Sequence, residues 1–313
     1  MAGVRSIGSS GAALLSACLA FAAHAAEPMT LNEYMTLKGP APSEHIAYGP
    51  SPKQYVELFE PAGAGPFPVV VLIHGGCFQN RYQGMPQMRG MAGALKAKGV
   101  AVWSIEYRGI DTPGGGYPGT FQDVRSAVDL LAAQAKARRL DTHRLVVVGH
   151  SAGAVLSLWL AGRGKLPPSS PLYEANPLPI HEVVALGGFG DFRAFAKNLK
   201  ARCGVTVEQI TGLPSAARPD VYADTNPLDL TPNGSETTFI NGDHDEIVAP
   251  RDFADTAARM RALGDAAATM VLPSASHFDE VAVTSPSWRL VGGAILKALG
   301  LHQTGQAGSS ARA

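Results

Sequence analysis

Charge of one sign is what this sequence most clearly lacks. Its 313 residues hold 26 Lys and Arg against 26 Asp and Glu, and the positive residues form no basic block and no stripe interleaved with aromatics. A surface that follows a phosphate backbone needs such a basic cluster, so we expect no nucleic-acid partner. Hydrophobic residues make up 46% of the chain and charged residues only 17%, which favours a well-cored globular protein over a disordered one.

Long apolar runs are scarce as well. Residues 11–23 form an apolar stretch that follows Arg5 and leads into Ala-His-Ala, a layout typical of a secretory signal cleaved after Ala25. The stretch is shorter than the roughly 20 residues that cross a bilayer, so we expect a signal peptide over residues 1–25 and no membrane span. Leu-Ser-Ala-Cys at 15–18 resembles a lipoprotein processing box, an alternative that would leave a lipid anchor on Cys18. Both routes predict an exported protein, periplasmic or secreted.

Cysteine is rare too, since the chain contains only three. If Cys18 leaves with the signal, Cys77 and Cys203 remain in a protein bound for an oxidising compartment, where disulfides persist. A disulfide and two unpaired core cysteines are both compatible with the sequence, which gives no distance between the two residues. The spacing contains no Cys-x-x-Cys pair and no Cys/His cluster, so we expect neither zinc nor another metal.

Strand-like and helix-like patterns alternate from Tyr55 onwards. Residues 68–74 (PVVVLIH) form a continuous β-branched run, typical of a strand buried on both faces of a parallel sheet. Thr120 with Asp123 three residues later predicts the capped start of a long helix. The alternation predicts the α/β class, a mainly parallel sheet covered by helices on both faces. The predicted strands span 55–59, 68–74, 101–107, 144–148, 182–186, 237–241 and 268–272, and the predicted helices 88–98, 120–139, 151–162, 251–263 and 287–299.

No change in composition typical of a linker divides the chain. We therefore expect one large domain over residues 52–301. Residues 26–51 are rich in proline and small residues and are predicted to form an irregular N-terminal arm, and residues 302–313 a flexible tail. Residues 163–180 and 192–236 interrupt the alternation and are expected to be insertions that form a small lid.

The pentapeptide Gly-His-Ser-Ala-Gly at 149–153 lies between an apolar strand and an apolar helix. A nucleophile on a tight strand-to-helix turn needs glycine on both sides, because a side chain there would collide with the adjoining elements. Such a turn exposes Ser151 Oγ and directs the amide end of the helix at the reacting carbonyl. We therefore predict that Ser151 is a catalytic nucleophile.

A second motif, His74-Gly75-Gly76, directly follows the predicted strand at 68–74. Together the two motifs resemble the α/β-hydrolase superfamily over residues 68–299, and specifically its esterases and kynurenine-formamidase-like enzymes. The resemblance implies the α/β-hydrolase fold and an oxyanion hole formed by the amides of Gly76, Cys77 and Ala152. Cys77 stands where many of the esterases have a third glycine. We expect His74 to brace the loop.

The resemblance also implies a catalytic acid after a late strand and a base after the last one. Asp245 fits the acid, since it follows a glycine by three positions and precedes a hydrophobic pair. Asp243, Glu246 and Asp191 are its rivals. His277 fits the base, because it completes the chain order Ser, Asp, His.

The triad of Ser151, Asp245 and His277 predicts hydrolysis of a small carboxylic ester through an acyl-enzyme, with no metal and no organic cofactor. Cleavage of an amide or formamide, arylformamidase-like or peptidase-like, is an alternative that the same triad supports. A non-catalytic binding role on a hydrolase fold is an alternative of another class. The sequence leaves the acyl and leaving groups of the small-molecule substrate open, and also the oligomeric state.

Overall fold

The computed structural model describes residues 27–82 and 84–301 of the chain. The signal peptide predicted over residues 1–25, with Cys18, and the tail predicted over 302–313 lie outside the described residues. Among the residues that are described, no helix is long and apolar enough to cross a lipid bilayer.

Eight strands form one sheet at the centre of the described chain. They are β1 (Glu44–Ala47), β2 (Tyr55–Phe59), β3 (Phe67–Ile73), β4 (Ala101–Ile105), β5 (Leu140–His150), β6 (Glu182–Leu186), β7 (Glu236–Gly242) and β8 (Ala266–Leu272). Their order across the sheet is β1-β2-β4-β3-β5-β6-β7-β8. β2 runs antiparallel to β1 and β4, and all the other neighbours pair in parallel. This topology confirms the predicted α/β class.

Helices cover both faces of the sheet. They are α1 (Leu31–Thr36), α2 (Met85–Lys96), α3 (Gly119–Gln134), α4 (Ala152–Gly162), α5 (Phe192–Cys203), α6 (Val207–Thr211), α7 (Pro250–Leu263) and α8 (Trp288–Ala298). Strand β3 shows how the two faces are separated, because successive side chains of a strand point to opposite sides. Val69 and Val71 belong to the core under α3 and α4, whereas Val70 and Leu72 belong to the core under α2 and α8.

The prediction of an irregular arm over residues 26–51 is wrong. Helix α1 lies there, and its start is closed by a reciprocal pair of hydrogen bonds between Thr30 and Glu33. Strand β1 also lies there and pairs with β2, burying Ile46. With 6 and 4 residues, the two elements are too short to show a period of their own, and contacts with the rest of the chain stabilise them.

The predicted cap of the third helix is also wrong. Helix α3 begins at Gly119 without a side-chain cap, and the Thr120 hydroxyl donates a hydrogen bond to the carbonyl of Arg108. Asp123 is buried and accepts two hydrogen bonds from the Arg108 guanidinium. A bidentate, charge-assisted pair is stronger than a neutral cap, so Asp123 fixes the loop after β4 and not the helix start.

The two predicted insertions differ in structure. Residues 192–236 contain α5 and α6, followed by a short 3-10 turn over Pro227–Leu230. Residues 163–180 begin with a 3-10 turn and continue as turns and irregular chain. The limits of the predicted domain stay predictions.

Candidate active site

Ser151 occupies a sharp turn between β5 and α4. Its φ of 54° lies in the left-handed region, which is uncommon for a residue with a side chain and typical of strained functional turns. A Cβ at Gly153 would lie 2.1 Å from the carbonyl oxygen of Ile73, so the glycine lets α4 approach β3. The Ser151 amide donates to the carbonyl of Leu186 at 2.8 Å, which fixes the turn against β6.

His277 and Asp245 meet at the same edge of the sheet. Asp245 follows β7 and His277 follows β8, and the carboxyl ends of these parallel neighbours lie side by side. His277 Nδ1 lies 2.8 Å from Asp245 Oδ2, which also accepts a hydrogen bond from the amide group of Asn241. Asp245 Oδ1 accepts the backbone amides of Ile247 and Val248. Both oxygens of the buried carboxylate therefore accept hydrogen bonds.

Burial alone would raise the pKa of the Asp245 carboxyl. The adjoining His277 imidazole and the amides of Val248 and Ile247 outweigh burial and hold that pKa below its usual value. The carboxyl is thus ionised at neutral pH. It keeps a proton on Nδ1 of His277 and leaves Nε2 free to accept one.

Ser151 and His277 line one cavity. No hydrogen bond joins the Ser151 hydroxyl to the His277 ring, and catalytic hydrogen bonds are often long before substrate binds. The structure thus brings the three predicted triad residues, Ser151, Asp245 and His277, to one site.

The three rival carboxylates lie elsewhere. Asp243 and Glu246 are exposed. Asp191 is buried at the N-cap of α5, where its side chain accepts a hydrogen bond from the first turn. Of the four acidic residues, Asp245 is the one that contacts His277. The geometry therefore favours Asp245 as the acid.

Two further histidines, His150 and His74, lie against backbone carbonyls of the loops that form the site. His150 Nε2 lies 2.9 Å from the carbonyl oxygen of His277. Burial, and then the neighbouring His277, lower the pKa of His150 to about 3, so its ring is neutral. His74 stacks on Tyr107 with ring centroids 4.4 Å apart, and its Nδ1 lies 2.7 Å from the carbonyl oxygen of Gly75. His74 thus packs under the loop, and its ring forms no hydrogen bond with Ser151.

The loop after β3 contributes the predicted oxyanion-hole residues. Gly76 and Cys77 line the same cavity as Ser151, and Ala152 is the first residue of α4. Among the described residues, the amides of Gly76, Cys77 and Ala152 have no hydrogen-bond acceptor. Unpaired amides that converge beside a nucleophile are what an oxyanion hole requires.

Cys77 forms a disulfide with Cys203, so the pairing that the sequence left open is present. Their Cα atoms are 5.6 Å apart, and the bond links the loop after β3 to the last residue of α5, 126 positions away. Cys77 and Phe78 both have left-handed backbones, with φ of 55° and 58°. The bridge and the buried Phe78 ring hold these two uncommon conformations in place.

A cavity of about 100 Å³ lies over Ser151. Its walls include Leu31 and Tyr34 of α1, and the ring of Tyr34 packs on Phe278 with centroids 5.0 Å apart. The exposed Arg202 of α5 also lines it. Two larger surface hollows, of about 520 and 620 Å³, lie away from Ser151, so the chemistry and not the size identifies the site.

The cover of the site differs from the predicted lid. Residues 192–236 contribute Arg202, whereas residues 163–180 line one of the larger hollows. Helix α1 supplies the wall instead, because the chain before it is bonded to the His277 loop. The Met29 amide donates to Asp279 at 2.8 Å, and the Ser276 hydroxyl donates to the Met29 carbonyl at 2.6 Å.

One group of described residues has the spacing of a metal site. Donor atoms of His150, His277 and Glu280 lie within 4.8 Å of one another, all buried. Nδ1 of His277 is bonded to Asp245, and Nε2 of His150 to a backbone carbonyl. These hydrogen bonds make the group a support of the candidate triad.

Sequence reasoning missed two residues of this region. Tyr34 lies in a segment without periodicity, and Glu280 resembles an ordinary loop carboxylate. For Glu280, the one signal in the sequence is its position three residues after His277. What distinguishes Glu280 is its burial, which arises from tertiary packing and is not visible in the sequence.

Comparison with known proteins places this geometry among α/β-hydrolases. The chain matches the family model described as BD-FAE over residues 56–259. No curated protein matches it significantly.

Several solved structures share the fold. Esterase B from Lactobacillus rhamnosis superimposes with a TM-score of 0.69 at 18% identity, covering 84% of this chain and 87% of that one. A truncated carbohydrate esterase from gut microbiota gives 0.65 at 16% identity, with 83% and 100% covered. An acetyl ester-xyloside bifunctional hydrolase from Caldicellulosiruptor lactoaceticus gives 0.64 at 14% identity, with 84% and 98% covered.

Proposed function

The chain belongs to the BD-FAE family of α/β-hydrolases, and we propose that it is a serine hydrolase that cleaves a small carboxylic ester. The observation that carries this proposal is the 2.8 Å contact between His277 Nδ1 and Asp245 Oδ2, beside Ser151 on its strand-to-helix turn. A serine hydroxyl is a weak nucleophile, and a histidine held by a carboxylate is the arrangement that activates it. Esterases with the same fold support the same class of reaction.

The proposed reaction begins at Ser151. Its Oγ attacks the ester carbonyl carbon while Nε2 of His277 takes the hydroxyl proton. Asp245 holds the Nδ1 proton and stabilises the imidazolium that forms. His277 then gives the proton to the departing alcohol as the C–O bond breaks, which leaves an acyl group on Ser151. A water molecule, deprotonated by the same ring, attacks the acyl carbon. The bond from that carbon to Oγ then breaks as His277 returns the proton to Ser151, which releases the acid.

The carbonyl oxygen becomes negative in each tetrahedral intermediate. The unpaired amides of Gly76, Cys77 and Ala152 are the donors that we assign to it. Such donors act without reorganisation because the backbone holds them in advance. Loss of one donor in a comparable site lowers the rate by about 10²- to 10³-fold.

The size of the cavity points to a short acyl group. A water molecule has a share of about 30 Å³ in the liquid, so the cavity of about 100 Å³ holds a group about as large as three waters. We propose that an acetyl or propionyl group fills this small space better than a long fatty chain does. Two of the similar structures are described as a carbohydrate esterase and an acetyl ester-xyloside hydrolase, so we propose short acyl esters of sugars as the first substrate class.

Covalent labelling tests the nucleophile. The protein is incubated with a fluorophosphonate and the adduct is located by peptide mass spectrometry. We expect the label on Ser151, and we expect Ser151→Ala to abolish labelling and hydrolysis. Ser169→Ala, at an exposed serine that lines a different hollow, is the matched control and should retain both. A label on another residue contradicts the proposed mechanism.

Rates with a series of substrates test the reaction class. p-Nitrophenyl esters of increasing acyl length, acetylated xylo-oligosaccharides, N-formylkynurenine and aminoacyl anilides are assayed in parallel. We expect acetate or propionate esters to give the highest kcat/KM. A clear preference for N-formylkynurenine or an anilide would instead favour amide or formamide cleavage.

Export is part of the proposal. The apolar stretch at residues 11–23 and the Cys77–Cys203 disulfide both support it, because disulfides persist in oxidising compartments. Mass spectrometry of the mature N-terminus in the native host tests it. A start at Ala26 indicates a secreted or periplasmic protein, a lipid-modified Cys18 indicates the anchored alternative, and an unprocessed chain in the cytoplasm contradicts export.

A further inference from the structure

Glu280 is a completely buried carboxyl, with 0% of its surface exposed. Its Oε1 accepts a hydrogen bond from the Gly242 amide at 2.9 Å. Its Oε2 receives no hydrogen bond from the residues that the structure describes. An ionised carboxylate accepts hydrogen bonds and donates none, so leaving one of its oxygens buried without a donor is costly.

The carboxyl of Glu280 faces the back of the candidate triad. It lies close enough to Asp245 for the charge of that carboxylate to act on it, and one of its oxygens lies within 4.8 Å of ring nitrogens of His277 and His150. Gly187 provides the space for this approach. A Cβ at that position would lie 2.5 Å from Glu280 Oε2 and 2.7 Å from His277 Nδ1. The chain has therefore left room for a carboxyl that the reaction mechanism does not use.

We propose that Glu280 is a positioning residue, which carries a proton at neutral pH and donates a hydrogen bond from Oε2 to the carboxylate of Asp245. A protonated carboxyl has one donor, and this donor satisfies the oxygen that otherwise has no partner. The two neighbouring carboxyls then hold one negative charge behind His277. This inference rests on the proposed role of Asp245 as the acid.

The groups around Glu280 support its neutral form. Burial first, and then the charge of the neighbouring Asp245, raise the pKa of Glu280 well above its usual value. Asp279 acts in the same direction, and the Gly242 amide acts against it. His150, whose Nε2 lies 3.9 Å from Glu280 Oε2, is neutral and offers no compensating positive charge. Two like charges in such a site cannot both ionise easily.

The consequence for the reaction concerns geometry. Asp245 Oδ2 must meet Nδ1 of His277 while the ring changes its charge in each half of the cycle. A donor from Glu280 restricts the rotation of the Asp245 carboxylate about its own axis. Because Glu280 is uncharged, it does so without adding a second negative charge that would make His277 hold its proton too tightly.

The variant Glu280→Gln tests the protonation state. Glutamine keeps one acceptor and one donor in place and removes no charge if the native carboxyl is neutral. We expect kcat and KM within about 2-fold of wild type and an unmoved acid limb of the kcat/KM profile against pH. A downward shift of that limb by about one pH unit would show that a negative charge had been lost, and it overturns the proposal.

The variant Glu280→Met tests the positioning role. Methionine is of similar length but has no donor for Asp245. We expect kcat to fall by about 10-fold with little change in KM, as for loss of a hydrogen bond to a charged group. Thermal unfolding is measured alongside to confirm that the variant is folded. A folded Glu280→Met variant with the kcat of wild type overturns the positioning role.

Infrared difference spectra read the proton directly and do not depend on activity. The spectrum of wild type minus Glu280→Gln at neutral pH should contain the carbonyl stretch of a protonated carboxylic acid. Asp243→Asn, at an exposed carboxylate, is the matched control and should remove a carboxylate band instead. A carboxylate band in the Glu280→Gln difference overturns the proposal. Failure of the proposed hydrolase function appears separately, as failure of Ser151 to label.

Discussion

The Cys77–Cys203 bridge joins the stability of the fold to the geometry of the loop after β3, which contains the proposed oxyanion-hole residues Gly76 and Cys77. The double variant Cys77→Ala/Cys203→Ala removes it. The bond closes a loop of 126 residues, and the loop-entropy relation then gives about 5 kcal/mol of unfolding free energy as an upper value. For a domain of this size, such a loss lowers Tm by roughly 10 °C. Stability should therefore fall clearly in the variant.

Removal of the bridge should also change the catalytic rate, because the bridge holds Cys77 in an uncommon backbone conformation. Cys77 has a φ of 55°, and a non-glycine residue in that region costs about 1–3 kcal/mol unless its surroundings hold it there. Without the bridge, the buried Phe78 ring and the hydrogen bond from the Ile110 amide to the Phe78 carbonyl remain as restraints on the loop. We expect the amide of residue 77 to withdraw from the substrate oxygen, which lowers kcat by up to about 10²-fold and changes KM less.

Urea unfolding and steady-state kinetics check both effects. A thiol reductant provides a matched control. Wild type with the reductant should behave as the double variant does, and the double variant should behave the same with and without the reductant. Loss of stability with an unchanged kcat would show that the Cys77 amide is not an oxyanion donor. A double variant with the unfolding midpoint and kcat of wild type would refute the reasoning for both roles.

Three further predictions concern the acid, the cavity and a buried histidine. Asp245→Asn should lower kcat by about 10⁴-fold by disturbing the His277 tautomer, whereas Asp243→Asn should stay within about 2-fold in the same ester assay. Leu31→Ala should move the best p-nitrophenyl ester to longer acyl chains, and Leu290→Ala, equally exposed at 44% but distant, should not. Burial lowers the pKa of His150 to about 3 in the folded protein, against about 6.5 in the unfolded chain, so the unfolded chain binds the extra proton between those values. Stability should fall as pH falls through that window, by about 1.4 kcal/mol per unit at most, and His150→Gln should flatten the decline in urea titrations.

Most of the sheet could be predicted from the sequence, because its central strands are buried on both faces. A short, continuous β-branched run such as the one in β3 is typical of a doubly buried strand, and its predicted limits, 68–74, differ by one residue from Phe67–Ile73. Strand β6 was predicted at its observed limits, Glu182–Leu186. Helix α1 and strand β1 could not be predicted, since neighbours distant in the sequence stabilise them.

The candidate site divides in the same way. Ser151 and His277 are marked by motif and chain order, which are visible in one dimension. The resemblance favours Asp245 over its rival Asp243, and the fold adds which of these two carboxylates in one loop turns inward to His277. Tyr34 reaches the cavity because hydrogen bonds at Met29 hold the preceding chain against the His277 loop, and no local pattern encodes that contact.

Burial decides how many charges this site can hold. Asp245 retains its negative charge because hydrogen bonds from Asn241, Ile247, Val248 and His277 replace the water that it has lost. His150 has no comparable partners for a charged form, since its Nδ1 lies buried without a hydrogen bond from the described residues. With His150 neutral, and Glu280 neutral as we propose, the imidazolium that forms on His277 meets one counter-charge, on the side where Asp245 lies. In the proposed mechanism, the proton that His277 takes from Ser151 is therefore stabilised by a negative charge on the Asp245 side of the ring alone.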